Sequence, residues 1–223
     1  MKKIFLFFAM TIVSVTMSFA QLEEGHIAYD IEMSSDDPDI AAMTSMFSGS
    51  TMNLYFTKNL ARTELDFGSM MSISTIVNSE TDEVLLLMGG MMGEKAILTT
   101  SDEMGADDEE EEVNITWSFT KETKMILDYT CKKAIGTDDD GEEIIYWYTE
   151  KIKSVNPDRK SAVAQLPGMA LQYEIDREGM IMTFTASKVK TSLDEETKAT
   201  KFTFDIPEGY TEMSYDEFSE MGM

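Results

Sequence analysis

The sequence predicts a mainly β fold: a single curved antiparallel sheet of half-barrel type, with one short helix packed on it and a second short helix at the C-terminus. Three observations predict it. Apolar and polar residues alternate with a period of two in one segment after another, turn-forming residues divide those segments at short spacing, and helical periodicity appears in only two places.

The first residues stand apart from this pattern. Met1-Lys2-Lys3 is followed by an uncharged run through Ile4-Phe5-Leu6-Phe7-Phe8 and Ile12-Val13-Ser14-Val15 that closes on Ser18-Phe19-Ala20. This is the pattern of a secretory signal peptide over residues 1–20, with cleavage expected after Ala20. The apolar run falls short of the roughly 20 residues that a spanning helix needs. No cysteine lies near the cleavage point, so attachment of lipid to a mature amino-terminal cysteine is not expected. Residues 21–223 are expected to form one β domain, periplasmic or secreted.

From Gly25 the elements follow in order. Ile27, Tyr29, Ile31 and Met33 alternate with His26, Ala28, Asp30 and Glu32, which predicts a half-buried strand with His26 on its outward face. Asp36-Asp37-Pro38-Asp39 is helix-starting chemistry, and Ile40, Met43, Met46 and Phe47 then recur at three- and four-residue spacing until Gly49, which predicts a short amphipathic helix. Strands are predicted over 52–56, 61–67 and 71–77, divided by Lys58-Asn59 and Gly68-Ser69. Residues 83–88 are apolar on both faces and suit a strand covered on both sides, with 95–100 as its continuation after Gly89-Gly90. Residues 101–112 carry Asp102, Glu103, Asp107, Asp108 and Glu109 to Glu112, and read as a solvated acidic loop.

The second half alternates again. Val113, Ile115, Trp117 and Phe119 share a face, strands follow over 125–136 and 142–151, and Asp140-Gly141 between them is a strong hairpin signal. A polar link over 156–160 leads to strands at 169–176, 180–190 and 201–206, with Arg177-Glu178-Gly179 turning the first into the second. Ser214 with Glu217 three residues on predicts a capped terminal helix through Met221.

Three segments carry a resemblance: Leu127-Asp128-Tyr129-Thr130-Cys131-Lys132-Lys133-Ala134, then Tyr146-Trp147-Tyr148-Thr149, then Gln165-Leu166-Pro167-Gly168-Met169-Ala170-Leu171. Together they resemble the GLPGLI-type envelope proteins of Bacteroidota and their sister family, and the ending Phe204-Asp205-Ile206-Pro207-Glu208-Gly209-Tyr210 resembles that of the sister family. Asp128 and Gln165 stand where these families have glycine. The resemblance implies a sheet curled over a helix, similar to the half-barrel of LolA- and LolB-like lipoprotein carriers, and it implies structural roles for Tyr129, Cys131, Trp147, Leu166, Pro167 and Gly168.

The composition bounds the chemistry. A net charge of −24 repels nucleic acid and anionic membrane surfaces. The lone cysteine, Cys131, excludes an intramolecular disulfide and reads as a small apolar core residue. With His26 as the only histidine, neither a Ser-His or Cys-His nucleophile nor a Cys/His zinc site has its parts. Among 42 acidic residues, pairs of carboxylates arise by chance. The chain is therefore expected to be a non-enzyme, with no cofactor and no metal.

Twenty methionines are the unusual feature, crowded in the first half. Methionine is a flexible filler of surfaces that accept varied apolar partners. Met43, Met46, Phe47, Met71, Leu86, Met88, Met91 and Met92 are accordingly the candidate lining of a pocket for an apolar or lipid-like molecule. The alternative is a module that meets another envelope protein through its sheet or loops.

Overall fold

The computed structural model describes residues 22–91, 93–106, 115–138, 141, 143–153, 165–177 and 179–219. The signal-peptide reading, residues 107–112 of the acidic run and the polar link at 156–160 lie outside these residues. Twelve strands form one sheet among the described residues. They are β1 (Gly25–Ser34), β2 (Thr51–Phe56), β3 (Leu60–Asp66), β4 (Met71–Asn78), β5 (Glu83–Gly90), β6 (Lys95–Thr100), β7 (Thr116–Ile126), β8 (Tyr129–Thr137), β9 (Glu143–Thr149), β10 (Met169–Arg177), β11 (Met180–Lys190) and β12 (Thr211–Glu212). The helices are short: α1 (Pro38–Thr44), extended by a single turn at Ser45–Phe47, α2 (Ser101–Ala106), α3 (Glu195–Lys201) and α4 (Tyr215–Ser219).

The strand order is β12-β6-β5-β4-β3-β2-β1-β11-β10-β9-β8-β7. Two antiparallel meanders, β1 to β6 and β7 to β11, are thus joined into one sheet by the antiparallel pairing of β1 with β11, and only the two-residue β12 runs parallel to its neighbour. The register slips at Ala28/Tyr29, Ala170/Gln172 and Phe119/Thr123. Such bulges add local twist and bend a sheet. The predicted mainly β, single curved sheet is the observed architecture.

Burial follows the predicted alternation. Ile27, Tyr29 and Ile31 point into the largest core, with Met52, Phe56, Cys131, Ile152, Leu171 and Phe184. The apolar strand β5 is covered on both sides: Val84 and Leu86 are buried on one face, and on the other Leu85 and Leu87, with Ile76 and Ala96, lie against Phe204, Ile206 and Tyr210 of the C-terminal segment. The cap of α4 is reciprocal, Ser214 Oγ accepting from Glu217 N at 3.2 Å and Glu217 Oε2 from Ser214 N at 2.9 Å.

Four expectations need correction. Residues 101–106, read as the start of a loop, form α2, whose Glu103 Oε2 accepts from Thr99 Oγ1 at 2.7 Å. Residues 125–136 do not form one strand: they contain the β7–β8 turn at Leu127-Asp128, because the uninterrupted apolar pattern hides a two-residue turn with no glycine in it. Residues 201–206 are not a strand. Lys201 closes α3, which begins at the cap Asp194, whose side chain accepts from Thr197 N at 2.7 Å. His26 is not on an open face: it is only 8% exposed, stacked on Tyr55, whose ring carries Lys201 of α3.

Two backbone positions fix turns. Leu127 holds a φ of 51° at the β7–β8 turn, a left-handed conformation that costs a β-carbon-bearing residue roughly 1–2 kcal/mol. Gly168 packs so closely on β9 that a methyl group there would lie 2.1 Å from Thr149 O. Leu127→Gly is expected to stabilise the fold by roughly 0.5–1 kcal/mol, and Gly168→Ala to cost more than about 2 kcal/mol, both read as urea midpoints. Equal midpoints for both variants and the parent would contradict this account of the turns.

Candidate functional site

Among the described residues, the candidate lining expected from the sequence is spread over several elements. Met46 is 61% exposed and Met91 83%, while Leu86 is buried in the sheet. Phe47 instead packs edge-on against Phe67, with ring centroids 6.1 Å apart. Met71 pairs with Gly90 and Met88 with Ile73 across β4 and β5. Met43 lies in α1, and Met92 is outside the described residues. Among the described residues lie open clefts of about 580 and 600 Å³. The first includes Glu24, Asn59, Glu80 and Lys198, and the second Asp30, Glu32, Ser45, Phe47 and Thr183, so charged and polar side chains contribute much of both linings.

The register gathers aromatic residues elsewhere. Phe119 stands opposite Ala134, Ala134 opposite Tyr146, Tyr146 opposite Tyr173 and Tyr173 opposite Phe184, one row across β7, β8, β9, β10 and β11. Tyr146 and Tyr173 stack at 5.6 Å, and Tyr173 and Phe184 at 4.7 Å with planes 6° apart. Tyr29 meets Tyr173 edge-on at 6.2 Å. Each such pair adds roughly 0.5–1.5 kcal/mol beyond area burial. The row is therefore rigid, and its inner members form part of the core.

At the sheet edge the same face opens to solvent. Trp117 and Phe119, two residues apart on β7, hold their rings 6.3 Å apart and within 18° of parallel. Strand β8 presents only Gly136 and Ala134 opposite them. A β-carbon on Gly136 would stand 3.2 Å from the indole of Trp117, so glycine lets that ring settle onto the sheet. Trp117 meets Tyr146 at 5.3 Å, and Phe119 meets Tyr148 at 6.1 Å. Phe119 remains 50% exposed. Beside them Lys132, paired across the strands with Tyr148, forms a 2.8 Å ion pair with Glu150. The indole Nε1 of Trp117 is buried without an acceptor among the described residues.

The residues singled out by motif lie around this face. Leu166 and Ala170 close the cluster of Ala134, Tyr146 and Tyr148. Trp147 carries the Lys124 ammonium 4.1 Å above its ring, and Lys124 also donates to Gln172 Oε1. Burial lowers the Lys124 pKa. Tyr129 packs against the main core, in which Cys131 is fully buried. Burial pushes the Cys131 thiol up to about 11, and it raises Tyr29 well above the usual phenol value, where the hydroxyl donates to Ala170 O at 2.8 Å. Tyr173 and Tyr146 are raised for the same reason.

A second polar cluster lies at the C-terminal end of α3. His26 stacks on Tyr55 at 4.3 Å and shares a 2.8 Å hydrogen bond with Asn53, while Lys201 sits 4.7 Å above the Tyr55 ring and bonds Glu64 at 2.7 Å. Arg62 pairs with the same Glu64 at 2.6 Å. Burial holds His26 below its usual pKa. This arrangement clamps the C-terminal segment to the sheet.

The fold and this face describe a mainly β half-barrel with an aromatic strip running from its core to an open edge. A family model described as the N-terminal domain of an N-glycanase, PNGase F-II, matches residues 40–216, and the chain belongs to that family. This is the family shown, where the sequence motifs resemble the GLPGLI type. Membership corrects the expectation of a non-enzyme, since the family is a domain of a glycanase. This kinship spans residues 40–216 and shows in no histidine base or metal motif. No curated protein matches the chain. The structure of PNGF-II is similar at 15% identity with a TM-score of 0.49, over 88% of this chain and 32% of that one, so the chain spans about a third of that protein's length. A LolA superfamily protein from Nitrosomonas europaea is similar at 10% identity with a TM-score of 0.21, over 79% of this chain and 90% of that one. No helix among the described residues is long and apolar enough to cross a membrane.

The raised thiol and phenols set an alkaline limit. An unfolded chain loses its thiol proton near 9 and its phenol protons near 10, while the native core retains them. Stability from this source is complete below the unfolded values and is lost as pH rises past them. The urea midpoint is expected to stay level from about pH 7 to 8.5 and to fall by about pH 10.5, with Cys131→Ser delaying the onset. A midpoint that is level throughout would contradict the burial.

Proposed function

We propose that this chain is an exported recognition domain that binds the carbohydrate part of glycoproteins or glycopeptides through the aromatic face of β7 to β10. The observation that carries the reading is the aromatic strip that ends at the sheet edge in the half-buried Trp117 and the exposed Phe119, in a chain that belongs to an N-glycanase domain family. A sugar ring has one face of C–H bonds and a rim of hydroxyls, so it suits a flat aromatic surface beside an ion pair. Export is supported by the charged start and apolar run of residues 1–20.

The same face has less to offer a lipid-like guest. An acyl chain is held by walls that enclose it, whereas Trp117 and Phe119 lie at an edge, and the two clefts carry charged residues. Gentle purification of the exported protein followed by native mass spectrometry, with neutral N-linked oligosaccharides added, tests the two readings together. The expected result is a protein–oligosaccharide complex. An apolar adduct with no oligosaccharide complex would replace this reading with that of an apolar carrier.

A further inference from the structure

Within that carbohydrate-binding reading, on which this inference rests, we propose that Trp117 and Phe119 are the stacking subsite for a pyranose ring of a neutral oligosaccharide, with Lys132 and Glu150 contacting its hydroxyls. Side chains two apart on a strand share a face, and here their rings are stacked within 18° of parallel, Phe119 being the more exposed of the two. Gly136 and Ala134 supply no bulk to tilt them upright. One strand beyond β8, Tyr146 and Tyr148 meet the two rings edge-on, so their orientation is set before any ligand arrives.

The chemistry around the rings selects the occupant. Lys132 and Glu150 are each about half exposed and together offer ammonium donors and carboxylate acceptors, which suits the mixed donor and acceptor character of vicinal hydroxyls. The unpaired Nε1 of Trp117 is a further donor that a small tilt of the ring presents to a hydroxyl or acetamido oxygen. A planar base would also stack, but a net charge of −24 opposes a polyanion, and the same field disfavours acidic sugars. The lysines of this hairpin do not reverse that preference, since Lys132 and Lys133 are paired with Glu150 and Glu122.

The chain has two tryptophans, so in a Trp147→Phe background the indole emission reports Trp117 alone. The full exported chain is titrated with a neutral oligosaccharide released from an N-glycoprotein and, separately, with its sialylated counterpart. The expected result is a saturable emission shift with the neutral sugar, weaker binding of the sialylated one, and roughly tenfold loss of affinity in Phe119→Ala. Met125→Ala, 62% exposed on the same strand, should leave affinity within about twofold. Phe119→Leu keeps the apolar bulk without the ring and should weaken binding as Phe119→Ala does, even if the alanine variant folds poorly. Neutral-sugar binding by calorimetry with no emission shift and no loss in the Phe119 variants would overturn this subsite and leave the broader reading standing. Absence of sugar binding by the parent would overturn both.

Discussion

The pairing of β1 with β11 is the interaction on which the rest of the structure depends. It joins residues 26–34 to residues 181–190, and without it the chain is two separate meanders, each with an unpaired edge. A pairing of such sequence separation carries a large loop-closure cost. Burial of Ile27, Tyr29 and Ile31 beside Phe184 and Ala186 offsets that cost, at roughly 1.5–3 kcal/mol for each large side chain. The aromatic row inherits its geometry from the same pairing. Phe184 is aligned by β1, Tyr173 by Phe184, Tyr146 by Tyr173, and Trp117 and Phe119 on β7 meet Tyr146 and Tyr148 edge-on.

The two ends of the sheet are handled differently. At one end β12 adds two parallel residues, and the segment just before it, from Phe204 to Tyr210, covers the outer face of β4 to β6. At the other end β7 is left as the edge strand. Its ladder is interrupted between Phe119 and Thr123, and the interruption carries Lys121 and Glu122, a charged irregularity of the kind that keeps an exposed edge from pairing with another sheet. The open aromatic face therefore lies beside an edge that is itself protected.

Much of the fold was legible because each strand announces itself locally. Alternation from Ile27 to Met33, the doubly apolar run at 83–88 and the capping pair Ser214 and Glu217 each depend on neighbours in sequence. Helix α3 was not legible in this way. Residues 195–201 have no apolar stripe, and the helix is held by Lys198 to Glu24 and Lys201 to Glu64, partners that only the folded chain brings near. His26 was misplaced for the same reason, since the period of two assigns it a face but cannot say that Tyr55 will stack on it with Lys201 of α3 above. The candidate site depends on register still more. Trp117, Phe119, Tyr146 and Tyr173 are each visible as one face of one strand, yet their union requires the strand order and the alignment across β8. Methionines crowded in the sequence, by contrast, were distributed by that same register between sheet, helix and turns.

Hydrogen–deuterium exchange of the exported chain, with and without a neutral N-linked glycopeptide, tests the central claim most directly. The account predicts added protection in β7 to β9, around Trp117, Phe119 and Tyr148, with little change near Met46, Met91 or the clefts beside Glu24 and Glu32. Protection confined to the α1 segment and the β4–β5 turn, or none anywhere at a glycopeptide concentration that saturates binding, would contradict it.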